Sequence, residues 1–452
     1  MGETERIAQH IASLEYSSIP PKLIKEMKIL LFDWLGVALG GTKTDSGRIA
    51  AEFSREMGDK GEATIIGFGY RVSAPGAAFA NAILSHSIEL DDVDLLAYFH
   101  FSPPIYSAAL AMAEREHSSG KDLLVALVAG CDLMARLSAA TNPSLRDRGF
   151  HTTPTCGVFG AAAACAKLLH LDAGQVANTL GLAGAQSSGL MEMYGTSMQK
   201  RINPGPAARG GLVAALLASK GFTGAETIIE GERGFLHAYA DSSDKAKLVE
   251  GLGKEFPVYI EYKPYSCARP IHNAIDCALE LRSKHGIKPE NITAIKVERH
   301  PRWANYHGIN APRSYHEAQV SLPYAVAVAF VDGKAFLEQY SEEKLNDPFV
   351  QRLTRMVHIE PMEGLPRDVS CRMTIITSEG SSFTSQVDYP KGSIQNPLTM
   401  DERRMKFGSL ATGILDEAVQ KEIEEMVFQI ENSHDVSDLT RLVGNTLHRT
   451  GR

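Results

Sequence analysis

The chain has 452 residues, more than one hydrophobic core usually holds, so at least two domains are expected. Hydrophobic residues make up 44% of the chain and charged residues 22%, without low-complexity segments, which is typical of a folded globular protein. The formal net charge of −8 and the lack of a Lys/Arg cluster exclude the basic surface of a nucleic-acid-binding protein.

The cysteines and the N-terminus indicate the compartment. The six cysteines form neither a CxxC pair nor a zinc-binding pattern, and several lie in apolar, Ala-rich stretches where a free thiol behaves as a small hydrophobe. The N-terminus lacks the apolar core of a signal peptide, and the apolar runs are broken well before the ~18 residues that a membrane span needs. We therefore expect a reduced, cytoplasmic protein that does not enter a membrane.

Residues 1–260 have the apolar spacing of helices. Pro20-Pro21 predict a helix start, because proline is tolerated in the first turn, and Gly40-Gly41 predict the end of that helix. Residues 156–169 and 207–219 are rich in small side chains, which let neighbouring helices approach closely. A tightly packed helical core is expected for this part of the chain.

The pattern changes after about residue 285. Residues 292–299 alternate like a half-buried strand, and two more strands are predicted at 369–377 and 382–389, with a hairpin turn between them. A helix is predicted at 322–331. Helices return at Thr399, which is expected to form a capping box with Glu402.

These patterns predict a fold that is mainly α with an inserted α+β lid. The large all-helical domain is expected to be built from both chain ends, residues 1–266 and 396–452, and the smaller α+β domain from residues 267–395. Ligand sites are common where two domains meet, so polar groups near the junction are candidates for function.

Four short segments carry polar groups where helix packing would favour apolar ones. In the first, Glu89, Asp91 and Asp92 follow an apolar helix and precede His100. Three carboxylates within four residues repel one another, so they need a cationic partner or a raised pKa. A solvated helix end explains this segment equally well.

The second and third segments both precede a predicted helix. His151 lies just before a helix N-terminus, whose N–H groups attract anions, although a structural histidine is the alternative. Lys200 and Arg201 follow a loop that begins at Gly195. Such a pair suits carboxylate binding, because arginine offers a planar fork and lysine a point charge, but surface loops also carry such pairs without a role.

The fourth segment, residues 261–272, brings Lys263, Cys267 and His272 to the predicted domain junction. A nucleophilic role of Cys267 is disfavoured, because nothing fixes a histidine beside it. The chain lacks the GxxxxGK[ST], HExxH and GxSxG motifs and a GxGxxG motif after a strand. Metal, acyl-transfer and dinucleotide redox chemistry are therefore disfavoured.

Taken together, these segments resemble the MmgE/PrpD family over nearly the whole chain. The resemblance rests on residues 31–36, 80–92, 149–154, 263–265, 321–324 and 389–392. It implies a helical domain with an α+β lid, a homodimer, and catalysis without a metal or an organic cofactor. The active-site residues that it implies are Glu89, Asp92, His100, His151, Lys200, Lys263 and Tyr324, with Arg201, His272 and Cys267 as substrate-binding residues.

The chain departs from the family pattern at several positions near this expected site. Glu89 stands where many relatives have Asp, Val93 where some have Thr, and Asn203 where His is frequent. The segment from Asp94 to Phe101 is also unusually apolar. These departures leave the substrate open.

The resemblance implies a lyase acting on a small, anionic di- or tricarboxylic acid by proton removal next to a carboxylate. We expect Lys200 and Lys263, supported by Arg201, to stabilise the charge that develops on that carboxylate. His151 is the expected base, His100 or Tyr324 the acid, and Glu89 and Asp92 the groups that orient them. A 2-methylcitrate dehydratase-like reaction is the first hypothesis.

Several alternatives to that reaction stay open. Within the enzymes they are cis-aconitate decarboxylase-like and iminodisuccinate epimerase-like reactions. Outside this group they are a non-catalytic binding protein on the same fold and a metal-dependent lyase.

Overall fold

The computed structural model describes residues 1–58, 60–94, 99–193 and 197–444. The predicted helical character of the N-terminal part is confirmed, with the strands β1 (Ala63–Thr64) and β2 (Arg71–Val72) forming a short hairpin. The helices of this part are α1 (Glu3–Ser13), α2 (Pro21–Gly41), α3 (Asp45–Glu56), α4 (Ala74–His86), α5 (Ser102–Arg115), α6 (Gly120–Thr141), α7 (Ser144–Asp147), α8 (Thr152–Leu168), α9 (Ala173–Gly184), α10 (Gln199–Ile202), α11 (Pro204–Ser219) and α12 (Phe235–Tyr239).

The rest of the chain mixes helices with a sheet and then returns to helices. The helix α2 starts and ends as predicted, and Thr399 and Glu402 form the predicted capping box at the start of the first returning helix. The helices of this part are α13 (His272–His285), α14 (Pro301–Ala304), α15 (Tyr315–Gln319), α16 (Leu322–Asp332), α17 (Glu342–Leu345), α18 (Pro348–Met356), α19 (Met400–Ala411), α20 (Glu417–Phe428) and α21 (Ser437–Gly444).

Small side chains set the spacing of the central helices. α8 packs against both α6 and α11, and every residue of α8 except Lys167 is buried. A Cβ atom added to Gly211 of α11 would lie 2.5 Å from the backbone nitrogen of Ala162. The backbones of α8 and α11 can therefore approach this closely only because glycine occupies that position, as the small-residue segments predict.

One helix in the described part of the chain, α6, is long and apolar enough to cross a membrane by length and composition. Its most apolar window is 94% buried inside the protein, which is typical of a core helix.

A four-stranded sheet has the order β4-β3-β5-β6, formed by β3 (Ile292–Arg299), β4 (Val357–Pro361), β5 (Cys371–Thr377) and β6 (Ser382–Val387). β3, β5 and β6 confirm the three predicted strands, and β5 and β6 form the predicted hairpin. β4, which runs parallel to β3, was not predicted, because it has five residues and ends in a proline.

The buried apolar side chains form two large clusters. One draws on residues between Ile7 and Tyr262 and again between Leu398 and Val443, and the other on residues between Cys267 and Ile375. The division of the chain into domains at residues 266 and 396 stays a prediction, which this arrangement of the two clusters supports.

Candidate active site

The loop after α4 carries the first polar segment, and a hydrogen bond from α19 holds its backbone in place. Lys406 of α19 donates to Asp33 of α2 at 2.7 Å and to the carbonyl oxygen of Leu90 at 2.8 Å. Glu89 has a left-handed backbone, with φ of 55°, which turns the loop at that residue. A buried ion pair between α2 and α19 thus holds the backbone next to the acidic side chains.

A second link joins this loop to the fourth polar segment. The backbones of Val93 and Glu261 exchange two hydrogen bonds, of 2.9 and 3.0 Å, in an isolated antiparallel bridge. Lys263 follows two residues later. Sequence segments that are about 170 residues apart, Glu89 to Lys263, are thereby brought to one place.

Glu89 lies at the centre of three cations. It accepts hydrogen bonds from Lys200, from Arg201 at 2.5 Å and from Lys263 at 3.2 Å, and all four side chains are buried. Burial raises the pKa of Glu89, but the two lysines and the arginine lower it by more. The net pKa of Glu89 therefore lies well below its ordinary value. Glu89 is therefore ionised, and it binds three cations at once.

Lys263 shares a second carboxylate. Its Nζ lies 3.5 Å from Asp91 Oδ1. Burial lowers the pKa of Lys263, but Glu89 and Asp91 raise it by more, so the net shift is upward and the lysine is charged. Arg201 is held in place as well, because its Nη2 donates to Gln319 at 2.7 Å.

Asp91 orients two histidines. Its Oδ2 lies 2.7 Å from His86 Nδ1 and 3.1 Å from His100 Nδ1. His100 Nδ1 also donates to the carbonyl oxygen of Asp92 at 2.5 Å, the shorter of its two contacts. Carboxylate and carbonyl oxygens only accept hydrogen bonds, so each imidazole carries its proton on Nδ1 and presents an unprotonated Nε2. Burial lowers the pKa of His100 to about 3, against the effect of Asp91. His100 is thus a neutral imidazole with a free Nε2, and sequence reasoning missed Asp91 as its partner.

His86, Asp91 and His100 are also close enough together to be compared with a metal-binding site. His86, Asp91 and His100 offer ligand atoms within 4.8 Å of one another. His86 Nδ1, however, already donates to Asp91 and His100 Nδ1 to the carbonyl oxygen of Asp92, and the Lys263 ammonium lies 3.5 Å from the Asp91 carboxylate. This donor set fits a hydrogen-bonded triad better than a cation site, and catalysis without a metal or cofactor stays a prediction.

His151 has the opposite tautomer. The Asn203 amide nitrogen lies 2.9 Å from His151 Nδ1 and 2.9 Å from the Met193 sulfur. Both neighbours accept hydrogen bonds from an amide N–H, so His151 Nδ1 is unprotonated and Nε2 carries the proton. Burial, with His86 and His100 next, lowers the pKa of His151 well below its ordinary value.

The ring of His86 lies beside both other histidines, with centroids 5.1 Å from His100 and 6.3 Å from His151.

Two predicted site residues have other partners. Asp92 accepts from the backbone nitrogens of Phe101 at 2.8 Å and Ser102 at 3.0 Å, at the start of α5, and burial raises its pKa to about 7. Tyr324 donates to the carbonyl oxygen of Gln339 at 2.6 Å and borders a separate cavity of about 570 Å³. The structure does not bring Tyr324 to the Glu89 cluster.

His272 and Cys267 are also buried and do not line the site. His272 accepts from Arg269 at 3.0 Å on Nδ1, and its Nε2 lies 3.3 Å from the carbonyl oxygen of Cys267. Burial raises the pKa of the Cys267 thiol to about 12, so the thiolate is scarce at neutral pH. Neither side chain borders the cavity described next.

A cavity of about 640 Å³ opens beside the Glu89 cluster. Glu89, His100, Lys200 and Lys263 lie in its wall, together with Val93. The predicted loop residues Gly195 and Thr196, and residues 95–98 before His100, lie outside the described residues.

Part of the cavity wall was missed in the sequence. The residues that the four polar segments did not include are Arg146, Asp147, Met191, Trp303, Tyr306, His307, Ile309, Glu317 and Val320. The available signal was the density of aromatic and histidine side chains just after β3, in residues 303–307.

His307 is unusual within this wall. Its backbone is left-handed, with φ of 64°, and its Nδ1 is buried without a hydrogen-bond partner among the described residues. Burial, followed by the charges of Arg299 and Lys200, lowers its pKa to about 3. A buried ring nitrogen without a protein partner, in the wall of a cavity, is a place for a ligand atom.

The buried neutral histidines predict how stability depends on pH. Six histidines have a lowered pKa in the folded protein, namely His86, His100, His151, His272, His307 and His316. In the unfolded chain they take up protons near pH 6.5, so below that pH the unfolded state binds more protons. Their contribution to stability is therefore present above pH 6.5 and lost as the pH falls.

The raised pKa values of Asp92 and Asp276 act in the opposite direction, but these are two groups against six. We expect the thermal unfolding midpoint to fall between pH 7.5 and pH 5.5, as measured by circular dichroism at constant ionic strength. A midpoint that is constant or rises over this range would show that these imidazoles are protonated in the folded state.

Comparisons with known proteins agree with this architecture. The MmgE/PrpD N-terminal domain model matches residues 5–247, and the MmgE/PrpD C-terminal domain model matches residues 265–432. The second model runs on into α19 and α20, whose buried side chains belong to the larger apolar cluster.

Full-length relatives are also similar to the chain. The cis-aconitate decarboxylase-like protein oryM of Aspergillus oryzae is 28% identical, and the match covers 98% of both chains. The cis-aconitate decarboxylase of Aspergillus terreus is 28% identical over 98% of this chain and 96% of its own. That of Homo sapiens is 27% identical over 97% and 94%. With both family models matched along its length, the chain belongs to the MmgE/PrpD family.

Proposed function

We propose that this protein is a lyase that decarboxylates a small, unsaturated tricarboxylic acid. The observation that carries the proposal is the cluster of Lys200, Arg201 and Lys263 around the buried carboxylate of Glu89. The neutral imidazole of His100 lies in the wall of the same cavity as Glu89, Lys200 and Lys263. The choice of decarboxylation over dehydration is supported by relatives named cis-aconitate decarboxylase that match nearly the whole chain.

The cations account for binding and for charge stabilisation. Lys200 and Lys263 both border the cavity and can face the carboxylates of a bound anion. Fixed positive groups aimed at developing negative charge usually make the largest contribution to catalysis, since they need no reorganisation during the reaction. Glu89 keeps these cations in place and charged before the substrate arrives.

The proposed reaction breaks one carbon–carbon bond. A carboxylate on the saturated carbon next to the double bond leaves as carbon dioxide. The electron pair of the broken carbon–carbon bond forms a new double bond. The pair of the old double bond shifts to the far carbon, which takes a proton. The negative charge that develops there is shared with the carboxylate on that carbon, which is the group that the lysines stabilise.

His100 is the proposed acid–base group. Its free Nε2 can hold a proton, and Asp91, 3.1 Å from Nδ1, stabilises the imidazolium that results. A bound polyanion adds negative charge beside the ring and raises its pKa, so that His100 can deliver a proton to carbon. His151 is not among the described residues that border the cavity, so it takes no part in the proposed step. His100 thus keeps the proton-donor role expected from the sequence, whereas decarboxylation needs no base in the role expected for His151.

The test is an assay in deuterated water with cis-aconitate, citrate and 2-methylcitrate. A decarboxylase releases carbon dioxide and leaves one deuterium on carbon in the product. New alkene absorbance from the hydroxy acids would indicate a dehydratase instead, and deuterium exchange without loss of any group an epimerase. Failure to release carbon dioxide from any unsaturated acid, with either of these outcomes, would contradict the proposal.

A further inference from the structure

We propose that the substrate carries, besides its carboxylates, an apolar chain longer than a methyl group. The chain would pack against a wall formed by Trp303, Tyr306 and Ile309, which we name the aromatic wall. The inference rests on the proposed function, because it assumes that the carboxylates bind at the Glu89 cluster.

The cavity is built from two kinds of surface. Among its charged side chains, Glu89, Lys200 and Lys263 are engaged with one another. Eight lining side chains are apolar or aromatic and come from five separate stretches of the chain. They are Val93, Met191, Ala268, Pro270, Trp303, Tyr306, Ile309 and Val320. A substrate made only of carboxylates and short carbon links would leave this second surface without an apolar partner.

Within the aromatic wall, Trp303 is packed, with 5% of it exposed, and Tyr306 is open. The rings of Trp303 and Tyr306 lie 5.6 Å apart, edge to face, and Tyr306 is 58% exposed although it borders a cavity. An exposed aromatic ring in a concave site gains most when a ligand covers it. The arrangement therefore fits an apolar group that is brought by the substrate.

His307 places the aromatic wall next to the charged cluster. Its ring stacks on Trp303 at 6.3 Å, while Lys200, Glu89 and Arg146 all act on its pKa. Its buried Nδ1 has no hydrogen-bond partner among the described residues, so it can bond a polar atom at the point where the chain joins the acid. A ligand with carboxylates at one end and an apolar chain at the other would satisfy both surfaces.

The size of the cavity and the identity of Val93 agree with this. The volume of about 640 Å³ lies within the range of about 300–1,000 Å³ that is usual for sites holding drug-sized ligands. A six-carbon acid is smaller than such ligands. Val93, which borders the cavity, adds another apolar side chain to its wall.

The test measures binding with unreactive probes. Propane-1,2,3-tricarboxylate and derivatives with alkyl chains of one, three and five carbons on C1 would be titrated into the full-length protein by calorimetry. We expect affinity to rise about fourfold for each added methylene, the gain for moving one methylene from water to an apolar surface. An affinity that is independent of chain length, or falls with it, would overturn the inference.

Variants locate the effect. Tyr306→Ser and Ile309→Ser are expected to flatten the dependence of affinity on chain length. Tyr259→Ser removes a ring that is 48% exposed outside the cavity and is expected to keep the wild-type dependence. If Tyr259→Ser flattens the series as much as the wall variants do, the aromatic wall is not the binding surface.

The outcome is separate from that of the proposed function. Turnover of unsubstituted acids together with a flat binding series would overturn the substrate class and leave the lyase assignment intact. A rising binding series without carbon dioxide release from any unsaturated acid would contradict the decarboxylase and support the substrate class. Absence of binding by every probe would overturn both.

Discussion

Replacing His100 by Gln is expected to lower kcat by about 100- to 10,000-fold, because the variant has no group that can carry a proton to or from carbon. Gln keeps a polar end that can still donate to Asp91, 3.1 Å from the imidazole, so the buried carboxylate is not left without a partner. The measurement is carbon dioxide release under saturating substrate, with the thermal unfolding midpoint recorded to show that the variant folds.

The pH dependence of kcat/KM separates the two directions of proton transfer. This quantity reports on the free enzyme, in which burial holds the pKa of His100 at about 3. If His100 begins the reaction as a base, kcat/KM is flat from pH 5 to pH 8. If it delivers a proton, as decarboxylation requires, kcat/KM falls as the pH rises, because the protonated fraction decreases.

A matched control lies on the surface of the protein. His285→Gln changes an exposed histidine at the end of α13. It is expected to leave kcat and the pH dependence of kcat/KM unchanged. Asp91→Asn is expected to shift the profile to lower pH, since the imidazolium loses its carboxylate partner. A His100→Gln variant that folds and keeps kcat within threefold of wild type would refute the acid–base role.

The sequence predicts the helices and strands more fully than it predicts the site. α2, the capping box at Thr399 and the β5–β6 hairpin follow from local rules, and each is found at its predicted place. β4 is missed because a five-residue strand ending in proline has no clear alternation. Its pairing with β3 is a tertiary contact between distant segments.

Within the site, the types of residue were predictable but their partners were not. Lys200, Lys263 and Glu89 meet as a resemblance to the family implied. His100 is held by the carboxylate of Asp91 and by the backbone carbonyl oxygen of Asp92, while the Asp92 carboxylate binds the start of α5 instead. The aromatic wall has no motif, because a cavity surface imposes no fixed spacing on the chain.

Tyr324 is a residue that was predicted for the site but has its partner elsewhere in the structure. Its position in α16 and its place in the family pattern both favoured a role in the site. The helix directs its hydroxyl to the carbonyl oxygen of Gln339 instead, at 2.6 Å. The direction of one side chain on a helix depends on how that helix packs, which neighbouring residues in the sequence do not determine.

Replacing Glu89 by Gln is expected to destabilise the protein by about 3–5 kcal/mol at pH 7, as measured by urea unfolding. The amide is nearly isosteric but uncharged, so Lys200, Arg201 and Lys263 lose the carboxylate that they share, and buried cations without a partner are costly. Because the pKa of Glu89 lies well below its ordinary value, its contribution is present above about pH 4.3 and disappears as the pH falls through the folded value.

The same variant tests whether the cations form an anion site. Propane-1,2,3-tricarboxylate is expected to raise the unfolding midpoint of Glu89→Gln by more than that of wild type, because the added anion replaces the missing negative charge and binds only the folded state. Glu89→Asp keeps the charge and is the matched control, with a smaller loss of stability and a wild-type response to the anion. If Glu89→Gln and Glu89→Asp lose equal stability and respond equally, the shape of the side chain matters here and its charge does not, and the three cations cannot be the groups that hold the substrate.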